Sequence, residues 1–170
     1  MKFILEYFKN PIIRFLILLF SLYLLWFILY KVWIQPYTSA DIFIVNLTID
    51  ISKFILEQFS YAVFTGTERL IGIDGTGGLW IGDNCNGITL FATFTWFIVA
   101  YPKGEWWKKA LYIIIGISLI QLLNILRIIA LAILDTKSRA WTEFNHTYTF
   151  TIIIYAFIFF MWMKWVNKNE

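Results

Sequence analysis

Four apolar runs constrain what this chain can fold into more than any other feature. The first, Ile12 to Trp33, carries charge only near its ends, at Arg14 and Lys31. About 20 apolar residues suffice to cross the ~30 Å hydrocarbon core of a bilayer. The run is too long for the apolar part of a signal peptide, and no small-residue cleavage site follows it. It therefore reads as a retained transmembrane helix, ended by Gln35-Pro36. Residues 107–134 and 147–166 have the same character, and residues 86–101 form a shorter run. The chain is 60% hydrophobic, against roughly half in a soluble domain, which is membrane composition. The expected fold is all-α and membrane-embedded: a single integral domain over residues 1–170, with about four spans at 12–33, 86–101, 107–134 and 147–166. Trp106, Trp107, Trp162 and Trp165 fall at span ends, where interfacial aromatics belong.

The segment between the first two spans, 36–84, is of another kind. Asn46, Asp50, Lys53 and Glu57 recur at helical spacing among Ile, Phe, Val and Leu, which predicts an amphipathic helix within 41–64. It would lie on the membrane or against the other helices. A fifth span is the alternative, if its polar stripe lines a cavity. Residues 65–84 are Gly-rich. Asp74-Gly75 between Leu70-Ile71-Gly72-Ile73 and Leu79-Trp80-Ile81 signals a small hairpin just before the second span. No Gly-Lys-Ser/Thr follows these glycines, so they are not a phosphate loop.

Charge orients the four spans. With both termini on one side, that side holds Lys2, Lys9, Arg14, Lys103, Lys108, Lys109, Lys164 and Lys168 against Glu6, Glu105 and Glu170. The other side holds Lys31, Lys53, Arg69, Lys137 and Arg139 against Asp41, Asp50, Glu57, Glu68, Asp74, Asp83, Asp135 and Glu143. Basic residues favour the cytoplasmic face, so both termini are expected there, with 36–84 and the 135–146 loop outside. No basic block with stacking aromatics suggests a nucleic-acid partner. One Cys forms no internal disulfide, and one Cys with one His makes no structural metal site; no metal or cofactor is expected.

On this topology Cys85, the only cysteine, begins the second span at its outer end, and His146, the only histidine, begins the fourth there. Arg127 lies in the outer half of the third span, eight residues before Asp135, about 12 Å inside the helix end. Gln121, Asn124 and Arg127 follow at i, i+3 and i+6, a polar stripe that would face the bundle interior. Each residue also has a plainer reading: a small buried hydrophobe for Cys85, an interfacial ring for His146, a snorkelling cation for Arg127. Read together they describe acyl transfer. A thiol with an ordinary pKa of about 8.5 becomes nucleophilic beside cations or a helix N-terminus. A guanidinium stabilises the oxyanion, and an imidazole protonates the leaving amine.

Cys85-Asn86-Gly87-Ile88 at the start of one span, Asn124-Ile125-Leu126-Arg127 within the next and His146 at the start of the last resemble the exosortase/archaeosortase family. That family comprises prokaryotic polytopic membrane proteins, and the resemblance covers about residues 40–166. It implies a membrane cysteine transpeptidase or protease of the cytoplasmic (inner) membrane, with its site on the extracytoplasmic face. Its partners would be secreted proteins ending in a short motif, an apolar helix and a basic tail. They would pass through a Cys thioester to an acceptor that could be a glycan, a lipid or water. Carried over residue by residue, Cys85 is the nucleophile, Arg127 the family's arginine and His146 the third member. Asn84, Asn86, Gly87, Gln121 and Asn124 are then supporting or substrate-binding residues. Asn86 stands where the common pattern has Ser, and about four spans is fewer than many members have, which implies a compact subtype. A non-catalytic scaffold for envelope secretion and a small transporter are the alternatives from other classes. The first predicts a silent Cys85→Ala, the second solute flux without thiol dependence.

Overall fold

The computed structural model describes residues 10–35, 39–66, 69–82 and 87–169, and Pro36, Asp83, Asn84, Cys85 and Asn86 lie outside them. Helix α1 is Pro11–Leu29 and runs on through a π-helical turn, Tyr30–Ile34. Asn10 starts it by accepting the Ile12 N–H at 3.0 Å, and Pro11 sits where its missing N–H has no partner to lose. Leu16, Phe20, Leu24 and Phe27 are exposed along it, as suits a helix whose partner is lipid.

Helix α2 is Ala40–Gln58. The Tyr30 hydroxyl donates to the Asp41 carboxylate, 3.1 and 3.0 Å from its two oxygens, and ties the end of α1 to the start of α2. Asp41 sits in the first turn, where the helix dipole favours an acid. The buried face of α2 is Asp41, Val45, Thr48, Ile49, Ser52 and Leu56, and the helix packs on the long helix Trp106–Asp135. Asn46, Asp50 and Glu57 point away from it, on an outer face that also exposes Ile42, Phe43, Leu47 and Phe54. Helix α2 ends earlier than residue 64. Ser60 turns the backbone at φ 62°, and Val63–Gly66 becomes strand β1.

β1 pairs antiparallel with β2 (Leu70–Ile73), and β2 with β3 (Leu79–Trp80), in the order β1-β2-β3. Val63 lies opposite Ile73, and Leu70 opposite both Gly66 and Trp80. The expected hairpin is therefore the β2–β3 half of a larger sheet. The Thr76 N–H and hydroxyl both donate to the Ile73 carbonyl, at 3.0 and 2.8 Å, and close its turn.

Helix α3 is Ile88–Ala100, α4 Trp106–Asp135, α5 Arg139–Phe144 and α6 Phe150–Lys168, with a second π turn, Asn145–Thr149, joining the last two. Arg139–Lys168 is thus one continuous 30-residue helix, where the sequence pattern placed a loop up to 146. Among the described residues, three helices are long and apolar enough to cross a membrane: Ile12–Trp33, Trp106–Asp135 and Arg139–Lys168. The expected second span is α3, which at 13 residues is about 20 Å long. Between α3 and α4, Lys109 donates to the Val99 and Tyr101 carbonyls and caps α3, and the Lys108 ammonium holds the Glu105 carboxyl below the usual carboxylate range. Trp165, in the last turn of α6, is buried against Tyr112, with ring centroids 4.9 Å apart.

In lipid the hydrophobic effect does little to join helices, so close fit must do it. Gly116 shows how: a Cβ there would lie 2.0 Å from the Phe94 ring, so α3 seats its aromatic against the bare backbone of α4. One apolar cluster joins Leu90, Phe94 and Ile98 of α3 to Ile120 and to Ile154, Ile158 and Met161 of α6. A second joins Val45, Ile49 and Leu56 to Ile71, Ile73 and Leu79 of the sheet, to Ile81 just after it, and to Ile125, Ile128, Ile129, Leu131 and Ala132 of α4. Arg139 fastens the sheet to the helices, donating to the Gly78 carbonyl at 2.8 Å and pairing with Asp135 and Glu143 at 3.2 and 3.3 Å.

Candidate active site

The polar stripe of α4 lies where the two apolar clusters meet, and it turns inward as its spacing predicts. Asn124 is fully buried and Arg127 is 6% exposed. Gln121 is half-buried, and its amide donates to the Thr48 hydroxyl of α2 at 2.8 Å. Its carbonyl oxygen meets no donor among the described residues. That oxygen points toward Gly87, where an added Cβ would lie 3.5 Å from it. Gly87 caps α3 at φ 82°, a backbone state that glycine adopts without strain, and its carbonyl accepts the Phe91 N–H at 2.9 Å.

Arg127 and His146 line one cavity of about 330 Å³, with Thr89 and Leu90 of α3 and Thr147, Thr151, Ile154 and Tyr155 of the last helix. The guanidinium is close enough for its charge to act on the imidazole. His146 sits in the π turn, a helix irregularity that often marks a functional position. His146 and Thr147 also line a second cavity of about 180 Å³, roofed by Leu79, Trp80 and Ile81 and closed by Arg139, Thr142 and Glu143. The π turn therefore borders both a sheet-side and a helix-side cavity. A larger cavity of about 580 Å³ lies by the α3–α4 turn, among Arg14, Tyr101 and Lys109, away from Arg127 and His146.

Of the residues singled out by sequence, the structure brings together Arg127 and His146 in one cavity and sets Gln121 beside Gly87. Asn84, Cys85 and Asn86 lie outside the described residues. The sequence reading passed over Thr89, Thr147, Thr151 and Tyr155. The last three recur every four residues through an apolar helix, and that spacing was the available signal.

This cavity has the parts of a charge-stabilising site: a buried guanidinium, an imidazole and a ring of hydroxyls. An apolar surround strengthens such donors relative to water. No curated protein and no solved structure matches the chain. A family description, transmembrane exosortase, matches residues 12–166, nearly the whole length and all of the helices that build the cavity, and the chain belongs to that family.

Proposed function

We propose that this protein is a membrane-embedded cysteine transpeptidase, or a protease when water is the acceptor, acting on secreted proteins held in the membrane by a C-terminal helix. The observation that carries this reading is the convergence of Arg127 and His146 on one cavity with Thr89, four residues after Cys85. Family membership supports a membrane transpeptidase-type activity in general.

In this reaction the Cys85 thiolate attacks the scissile carbonyl, and the oxyanion is met by the Arg127 guanidinium. The C–N bond breaks, the amine leaves with a proton from His146, and a thioester remains between Cys85 and the new C-terminus. An acceptor amine, hydroxyl or water then attacks the thioester and returns the thiol. Cys85→Ala removes the nucleophile, so uncut substrate accumulates in the membrane; Cys85→Ser offers a poorly ionised hydroxyl and falls close to the Ala level. The measurement is the size of a tagged substrate, taken from a protein of the same cell that ends in a motif, an apolar helix and a Lys/Arg tail. Wild-type processing in the Cys85→Ala strain excludes covalent catalysis by this chain and leaves the scaffold or transporter reading.

A further inference from the structure

The last helix is apolar enough to cross a membrane, but one of its faces carries hydroxyls. Thr147, Thr151 and Tyr155 recur at four-residue spacing, and all three line the cavity that holds Arg127 and His146. Thr151 is half-buried, while Thr147 and Tyr155 are exposed as well as lining the cavity, so the row runs along the cavity's open edge; Ile152 and Ile153, between them in sequence, are exposed too. Several hydroxyls in apolar helices are used up locally, although the buried Ser52 hydroxyl is not. Thr93, Thr95 and Ser118 donate to carbonyls four residues back, at 2.8, 2.7 and 3.0 Å. Among the described residues, the hydroxyls of Thr147, Thr151 and Tyr155 have no such partner. Polar groups directed into an apolar layer without partners are unfavourable, so a line of three calls for an occupant that is itself polar.

The chemistry above supplies one. A thiolate must reach a backbone carbonyl, and in a helix that carbonyl is hydrogen-bonded and screened by the turns around it. Arg127 lies eight residues before the end of α4, about 12 Å along it, and the row from Thr147 to Tyr155 spans eight residues, about 12 Å, of the last helix. A peptide that reaches this depth in extended form leaves bare N–H and C=O groups in hydrocarbon, each unfavourable by several kcal/mol. Thr and Tyr hydroxyls both donate and accept, so one row can serve both kinds of backbone group.

We propose that the Thr147–Thr151–Tyr155 stripe binds unwound backbone at the start of the substrate's transmembrane helix and so holds the scissile peptide extended beside Arg127 and His146. This rests on the reading of the protein as a protease or transpeptidase of membrane-anchored substrates. About 12 Å of stripe matches three or four extended residues, roughly one helical turn of substrate. The property selected is then the ease of opening that turn. Gly and β-branched residues at the start of the substrate's apolar segment favour cleavage, and strong helix formers such as Ala and Leu oppose it.

The test uses purified full-length protein in phospholipid nanodiscs and a reporter ending in a motif, apolar helix and basic tail that the wild type cleaves. Thr151→Val and Tyr155→Phe keep the side-chain shapes and remove the hydroxyls. The combined variant is expected to cleave the reporter about tenfold more slowly at low concentration, the equivalent of one or two lost hydrogen bonds. Alkylation of Cys85 by iodoacetamide should keep its wild-type rate. Gly-Gly in the first turn of the reporter's apolar segment should restore most of the lost cleavage, because less helix then has to be opened. Undiminished cleavage by the combined variant overturns the proposal. A loss that Gly-Gly does not relieve, or that slower alkylation accompanies, overturns it as well. Cys85→Ala, assayed alongside, separates the two levels: full cleavage there removes the cysteine reading and the stripe with it. Uncut reporter there, with full cleavage by the hydroxyl variant, removes the stripe alone.

Discussion

Arg127 is a cation at 6% exposure within an apolar helix, which insertion energetics disfavour by about 2.5–3.5 kcal/mol. Burial at that level removes the snorkelling explanation, because a snorkelling side chain ends in water. A point charge does not reproduce the two parallel donors of a guanidinium. Arg127→Lys is therefore expected to stay inserted and to lose about a hundredfold in substrate processing, in line with the removal of an oxyanion donor. Arg127→Leu should lose processing altogether while melting at or above the wild-type temperature in detergent, because an apolar isostere replaces a buried charge. Full processing by Arg127→Lys, measured on the tagged substrate, removes the oxyanion role. The stripe behind this prediction was legible because Gln121, Asn124 and Arg127 keep helical spacing in an otherwise apolar run. The Gln121–Thr48 bond was not, since it joins residues 73 apart and depends on which face of α2 meets α4. Thr48 carries no sign of that choice in sequence; threonines in apolar helices ordinarily bond their own preceding turn, and Thr48 also does so, to the Ile44 carbonyl at 2.7 Å.

At the scale of elements, the part of the fold that sets the site is the π turn at Asn145–Thr149. One extra residue there rotates α5 relative to α6 by about 100° compared with an unbroken α-helix. That rotation lets Arg139 face Gly78 of the sheet while Thr151 and Tyr155 face the helix-side cavity. Deleting Tyr148 is expected to convert the turn to regular α-helix, leave the protein inserted and abolish processing. Membrane fractionation and the tagged substrate measure the two outcomes, and retained processing would show that the turn is incidental. Sequence periodicity placed the start of the last span at residue 147 because the apolar pattern begins there. A π turn has no such pattern, and the polar residues 139–146 read as loop although they continue the same helix. The sheet was legible only in part. Asp74-Gly75 announced β2 and β3, whereas β1 was absorbed into an amphipathic pattern that already contained Val63 and Phe64. Strand and helix periods are hard to separate over four residues, and the pairing of Val63 with Ile73 is what decides it.

At the scale of the molecule, everything about access depends on whether α3 crosses the membrane. Its 13 residues, about 20 Å, fall short of a 30 Å hydrocarbon layer by themselves. α3 is nonetheless packed between α1 and α4, both long enough to cross, and its ends carry the features of interface positions: Gly87 at one, Tyr101-Pro102 and the Lys109 cap at the other. A short span of this kind is accommodated by local thinning of the bilayer or by polar residues at its ends. From the charge distribution we propose that the α3–α4 turn, with Lys103, Lys108 and Lys109, is cytoplasmic and that Lys137 and the sheet lie outside. Lys103→Cys and Lys137→Cys, each made in a Cys85→Ala background, test this directly, since both positions are exposed. An impermeant maleimide applied to intact spheroplasts is expected to label position 137 and to label position 103 only after lysis. Labelling of both in intact cells means that α3 turns back without crossing, which puts the sheet and the α3–α4 turn on one face. Labelling of 103 alone reverses the molecule, carries Arg127 and His146 to the cytoplasmic side, and is incompatible with action on proteins already secreted.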